Sequence, residues 1–142
     1  MSPVTFNDWD LESNVSDAIK GMGWGEPTQI QAESIPVARR GKDVVGQART
    51  GSGKTGAFGI PIIESCEPNG ALQSLVLCPT RELAVQVADE MSSLQGKKGL
   101  NIETVYGGTD IEKQAKLLDK GVDVIVGTVS YTHLTLPTIC SV

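Results

Sequence analysis

Apolar positions recur at helical spacing in the first forty residues and then in short unbroken runs separated by helical stretches. Leu11, Val15, Ala18, Ile19 and Met22 fall on one stripe, which predicts a helix over residues 8–23 closed by Gly21 and Gly23. A second helix is predicted over 28–40, with Pro27 just ahead of it. Residues 43–46 read as a short strand running into the glycine-rich stretch ARTGSGKT, and a helix follows over 54–65. SLVLCP (74–79) reads as a buried strand, and 81–94 is amphipathic through Leu83, Ala84, Val87, Met91 and Leu94. NIETVY, a short helix over 110–120 and DVIVG complete the series. Strands that are apolar on both faces and alternate with helices predict an α/β fold, a parallel sheet flanked by helices and joined by right-handed crossovers.

Composition narrows this picture. A length of 142 residues with 39% hydrophobic content supports one domain with a modest core. The net charge of −5 repels nucleic acid as a whole, so any such contact is expected in a local groove. No apolar run approaches the roughly 18 residues of a membrane helix, so no membrane partner is expected. The N-terminal MSPVTFNDWD has neither a basic start nor an apolar segment, which gives a cytoplasmic location as the default expectation. Cys66, Cys78 and Cys140 are odd in number and lack ligand-like spacing, so free thiols are expected rather than disulfides or a zinc site.

The segment Ala48-Arg49-Thr50-Gly51-Ser52-Gly53-Lys54-Thr55 stands between a predicted strand and a predicted helix, the context of a phosphate-binding loop. Glycines let successive backbone N–H groups turn inward around phosphate oxygens, and the helix N-terminus adds its dipole. Lys54 then reaches the β- and γ-phosphates, and the Thr55 hydroxyl is placed to hold Mg²⁺. The first position of the general pattern is Ala48 instead of glycine.

Further motifs follow in order. Phe6 precedes Gly23-Trp24-Gly25-Glu26-Pro27-Thr28-Gln29-Ile30-Gln31; after ARTGSGKT come Pro79-Thr80-Arg81-Glu82-Leu83-Ala84, Gly107-Gly108 and Val126-Gly127-Thr128. Together they resemble the first RecA-like domain of a DEAD-box RNA helicase: the Q motif with its upstream aromatic, motifs I and Ia, the GG motif and the opening of motif Ib. The resemblance covers residues 6–128. It implies an incomplete RecA-like P-loop NTPase domain that takes ATP and Mg²⁺ as cofactors and RNA as partner, in a parent able to couple ATP hydrolysis to local duplex unwinding.

Residue by residue, the resemblance implies that Phe6 stacks on adenine and Gln31 bonds its edge. It implies that Thr50, Gly51, Ser52, Gly53, Lys54 and Thr55 hold the phosphates and Mg²⁺, with Lys54 and Thr55 as the catalytic pair. Thr80, Arg81, Gly107, Gly108 and Thr128 would touch the RNA backbone without reading its sequence. Gln29 stands where the family usually has proline, and Trp24 where it usually has phenylalanine or tyrosine.

Plainer readings stand beside these. Thr28 and Gln31 have the spacing of a helix capping box. Arg81 lies in the first turn of a helix, where a cation opposes the dipole; that suits a phosphate partner, a salt bridge or a solvated side chain. Gly107-Gly108 alone is a turn signal, and Glu64 and Glu82 read as solvated or structural.

After Thr128, where the family pattern continues Pro-Gly-Arg, the chain reads VSYTHLTLPTICSV. These 14 residues contain no Lys, Arg, Asp or Glu, whereas the average of this chain predicts about three. VSYTHLTLPT resembles one reading frame of a transposon-based sequencing adapter. Residues 1–128 are therefore expected to be the N-terminal part of the domain and 129–142 a non-native tail, so neither His133 nor Cys140 is assigned chemistry. The D-E-A-D segment, motif III and a second RecA-like domain with its arginine finger do not occur in these 142 residues, so efficient hydrolysis is not expected of them. A short adenine-nucleotide or RNA-binding protein without turnover is the alternative. A DNA helicase or other P-loop ATPase is disfavoured by Gln31 together with PTRELA.

Overall fold

A computed structural model describes residues 5–49, 51, 53–105, 119–128 and 139–141. The first predicted helix is split. Phe6–Trp9 forms a 3-10 turn that Asp10 ends in the left-handed region (φ 50°), and the helix proper, α1, is Ser13–Gly21. Asp is among the few side chains that tolerate this backbone, because its short polar group bonds locally. The predicted stripe holds: Val15 and Ile19 are buried, and Leu11 and Met22 pack against the same core. Helices α2 (Gln29–Arg39), α3 (Lys54–Ser65) and α4 (Arg81–Leu94) stand within a residue of expectation.

Strands β1 (Ser74–Cys78), β2 (Ile102–Val105), β3 (Val124–Thr128) and β4 (Ile139–Ser141) form one parallel sheet in the order β2-β3-β1-β4. Strand period two sends Val76, Cys78, Val124 and Val126 to the face covered by α4, where they join Ile60, Ile63, Val87, Met91 and Leu94. The opposite face carries a smaller buried cluster of Leu75, Val105, Val122 and Ile125. The predicted helix at 110–120 lies, except for its last two residues, outside the described part, and Asp119 and Lys120 are helical.

One expectation fails. Residues 43–46 form no strand, and Val44 and Val45 are 41% and 103% exposed. Among the described residues no strand pairs with this segment, and without a ladder partner its exposed backbone has no reason to adopt a strand.

At the amino ends of the strands one carboxylate ties the loops together. Asp123, 2% exposed, accepts from the backbone N–H of Gly70 and of Asn101, each at 2.8 Å, and from Gln73 Nε2 at 3.4 Å. Gly70 and Gly121 touch beneath it: a Cβ on Gly121 (φ +96°) would come within 3.1 Å of Gly70 Cα. Cys66 and Cys78 are free and buried, and the side chain of Cys140 lies outside the described part. Burial pushes the Cys78 thiol up to about 11, so it stays protonated and weakly nucleophilic at neutral pH. Among the described residues no helix is long and apolar enough to cross a membrane.

Candidate phosphate and base site

The loop ahead of α3 takes the shape its glycines permit. Gly51 and Gly53 have φ of +82° and +86°, a region that costs other L-residues roughly 1–2 kcal/mol. Gly53 is the N-cap of α3, and Lys54 and Thr55 are its first two residues. The opening turn of a helix has N–H groups without intrahelical acceptors and the positive end of its dipole, features that suit an anion. Among the described residues no carboxylate forms an ion pair with Lys54. Thr50 and Ser52 lie outside the described residues.

Gln31 joins this loop to the segment before it. Its Oε1 accepts from Thr28 N at 3.0 Å, Thr28 Oγ1 accepts from Gln31 N at 3.5 Å, and together these make the capping box expected from the spacing. Gln31 Nε2 donates to the Gly53 carbonyl at 3.1 Å. The side chain therefore caps α2 and holds the glycine loop at once, and it is 2% exposed. The fit leaves no room: a Cβ on Gly53 would lie 2.6 Å from Gln31 Nε2 and 2.8 Å from Thr28 Oγ1.

Phe6 is 8% exposed and belongs to the core cluster. Its ring meets Trp9 edge-on at 5.7 Å and lies over Trp24 at 6.3 Å with 29° between the planes. Trp24 rests in turn on α3, where a Cβ on Gly56 would come within 2.9 Å of the indole. Trp24 and Gly56 were not assigned roles from the sequence, although a glycine inside a helix, about 1 kcal/mol worse than alanine, signals a close approach. Phe6 is thus linked to Gln31 and the glycine loop through Trp24 and Gly56, with the Phe6 ring and the Gln31 amide both buried and both Gln31 polar atoms bonded within the protein.

The second set of candidate residues sits at the carboxyl ends of the strands. Thr80 is the N-cap of α4 and its hydroxyl accepts from Leu83 N at 3.1 Å. Thr80 and Arg81 are exposed. Thr128 ends β3 opposite Cys78 of β1 and is 6% exposed. Gly107 and Gly108 lie outside the described residues. Parallel α/β sheets bind ligands beyond these carboxyl ends. Glu82 is exposed, whereas Glu64 is structural, with its carboxylate 2.9 Å from Arg39 Nε.

Residues 28–138 match the family model described as DEAD/DEAH box helicase. Over 126 residues the chain is 50% identical to the DEAD-box ATP-dependent RNA helicase CshA of Geobacillus kaustophilus and 46% identical to that of Bacillus subtilis. Each comparison covers 88% of this chain, which spans about a quarter of those relatives: 27% and 26% of their lengths. A crystal structure of a DEAD box protein from the hyperthermophile Methanococcus jannaschii superposes with a TM-score of 0.84 at 46% identity, covering 89% of this chain and 35% of that one. A hypothetical ATP-dependent RNA helicase from Sulfolobus tokodaii gives 0.75 at 36% identity, covering 87% of this chain and 35% of its own.

Proposed function

Because this chain belongs to the DEAD/DEAH box helicase family, we propose that its 142 residues form a nucleotide- and RNA-contacting part of an ATP-dependent RNA helicase. The observation that carries this is the bond from Gln31 Nε2 to the Gly53 carbonyl, which joins a base-side segment to a phosphate loop in one rigid unit. The backbone N–H groups around Gly51 and Gly53 and the Lys54 ammonium bind the phosphates. Thr55 follows Lys54 on the same turn, and its hydroxyl suits the Mg²⁺ that accompanies ATP, an ion that neutralises phosphate charge. Phe6 and Gln31 carry adenine selection, and Trp24 backs the Phe6 ring.

Thr80, Arg81 and Thr128, with Gly107 and Gly108, hold an RNA backbone at the carboxyl edge of the sheet. Contacts of this kind fix position without reading sequence. In the parent, a second RecA-like domain completes the site and hydrolysis resets the grip; the 142 residues alone bind nucleotide with little turnover. Titration of the chain with fluorescent ATP and GTP analogues, with and without single-stranded RNA, tests this reading. ATP is expected to bind at least about tenfold tighter, the discrimination a hydrogen-bonding base site supports. Equal affinity for the two nucleotides would sink the reading.

We further propose that residues 129–142 are foreign to the parent. Two observations favour a second reading, a short binding protein with a native tail: β4 pairs in parallel with β1, and the family match runs to residue 138. Sequencing the source locus across codon 128 decides between them, since a Pro-Gly-Arg continuation belongs only to the first.

A further inference from the structure

At the end of α3 away from the phosphate loop, four segments distant in sequence meet in one charged node. Lys98, in the turn after α4, has a side chain only 6% exposed. Its ammonium donates to both oxygens of Glu12, at 2.9 and 3.1 Å, and to the Ile63 carbonyl at 2.6 Å. The last turn of α3 also presents Glu64, whose Oε2 accepts from the Glu12 backbone N–H at 3.3 Å and whose Oε1 faces Arg39 Nε at 2.9 Å. Arg39 Nη1 donates onward to the carbonyl of Trp9. Two cations at a helix carboxyl end also complement the dipole there.

A surface pair contributes little, but here Lys98 and Glu64 are shielded from water while Arg39 and Glu12 remain partly exposed, and the partners arrive from α1, α2, α3 and the α4–β2 turn. What it fixes is the segment 6–12. Trp9 and Glu12 are held by Arg39 and Lys98; Trp9 packs on Phe6, Phe6 on Trp24, and Trp24 on Gly56 at the front of α3. The helix that presents Lys54 is thus clasped by the same N-terminal segment at its rear through charges and at its front through aromatic rings. Gly96 closes the clasp: its φ is +60°, and a Cβ there would meet the Asn14 carbonyl of α1 at 2.5 Å.

We propose that Glu12, Arg39, Glu64 and Lys98 are positioning residues for base selection. They hold the Phe6 segment at a set distance from the phosphate loop, so that nucleotide affinity depends on the identity of the base. This rests on the adenine-nucleotide reading above. The node lies about 15 Å from Lys54 along α3, too far to touch phosphates, so its loss should alter selectivity ahead of phosphate binding.

The test uses the 142-residue chain with Glu12→Gln, Lys98→Met and Lys98→Arg, and reads affinity for ATP and GTP together with amide exchange over residues 5–22. Glu12→Gln and Lys98→Met are expected to weaken ATP about tenfold and GTP less than about twofold, because the freed segment no longer holds Phe6 in place. Exchange over 5–22 should rise while that of β1 and β3 stays unchanged, and Lys98→Arg should restore both. Glu12 is the more exposed partner, so Glu12→Gln decides the matter even if Lys98→Met does not fold. An unchanged ATP-to-GTP ratio in variants of a chain that prefers ATP, or a parallel loss of both nucleotides, overturns the positioning role alone. A wild-type chain that binds neither nucleotide, or both equally, overturns the adenine reading and this proposal with it.

Discussion

Replacing Lys54 with alanine is expected to weaken ATP binding by about a hundredfold, roughly 2.7 kcal/mol, while the melting temperature stays within about 2 °C. The two halves of this expectation have separate causes. Lys54 is the first residue of α3, half-exposed and outside the buried core, so its stem carries little packing energy. Alanine is the best helix former and leaves the turn intact. Binding, by contrast, is expected to lose a charge-assisted contact that backbone N–H groups, being neutral donors, do not replace. Calorimetric titration with ATP beside a thermal melt reads both. A variant that binds ATP as tightly as the wild type, with the same melt, would show that the glycine turn is not a phosphate site.

The second large effect is expected far from that loop. Asp123→Ala should destabilise the chain by about 3–4 kcal/mol, a sizeable part of the 5–15 kcal/mol typical of a whole domain. Two backbone donors, Gly70 N and Asn101 N, share the carboxylate at 2.8 Å, and Gln73 Nε2 adds a longer contact. At 2% exposure no water stands ready to replace the lost oxygens, so the donors keep their desolvation cost without a partner. Asp123→Asn keeps one acceptor but turns an NH₂ toward the other backbone donor, so it should lose about half as much. Urea denaturation with a constant slope measures both, and a loss below about 1 kcal/mol for Asp123→Ala would mean that the loops hold without the carboxylate.

The two sites divide the labour of the fold. Asp123 gathers the amino ends of the strands, where Gly70, Asn101 and Gly121 converge. The candidate ligand-binding residues Thr80, Arg81 and Thr128 lie at the opposite, carboxyl ends. Stability and binding are therefore expected to respond to different substitutions, and a variant affecting one should leave the other nearly intact.

Much of this fold is written locally in the sequence. The bounds of α3 and α4, the strands at 74–78, 102–105 and 124–128, the Thr28–Gln31 capping box and the glycine turn at Gly51 and Gly53 all follow from local signals. Helix periodicity, capping spacing and glycine placement are written within a few residues of where they act. The strand expected at 43–46 was not legible in this way, because a strand exists only if a neighbour accepts its ladder, and no residue within the segment encodes that neighbour. The break at Asp10 turned on one residue adopting a left-handed backbone inside an otherwise helical stripe. The node of Glu12, Arg39, Glu64 and Lys98 was decided by tertiary structure alone. Glu12 and Lys98 are 86 positions apart, and each reads by itself as a solvated surface charge. Only when α1, α2, α3 and the α4–β2 turn close on one another are Lys98 and Glu64 shielded, and the charges then become partners. The sequence determined which segments curl and where the glycine turn before α3 falls. Long-range packing decided which distant charges meet and which apolar run goes without a strand partner, because those free energies depend on contacts that do not exist until the chain is folded.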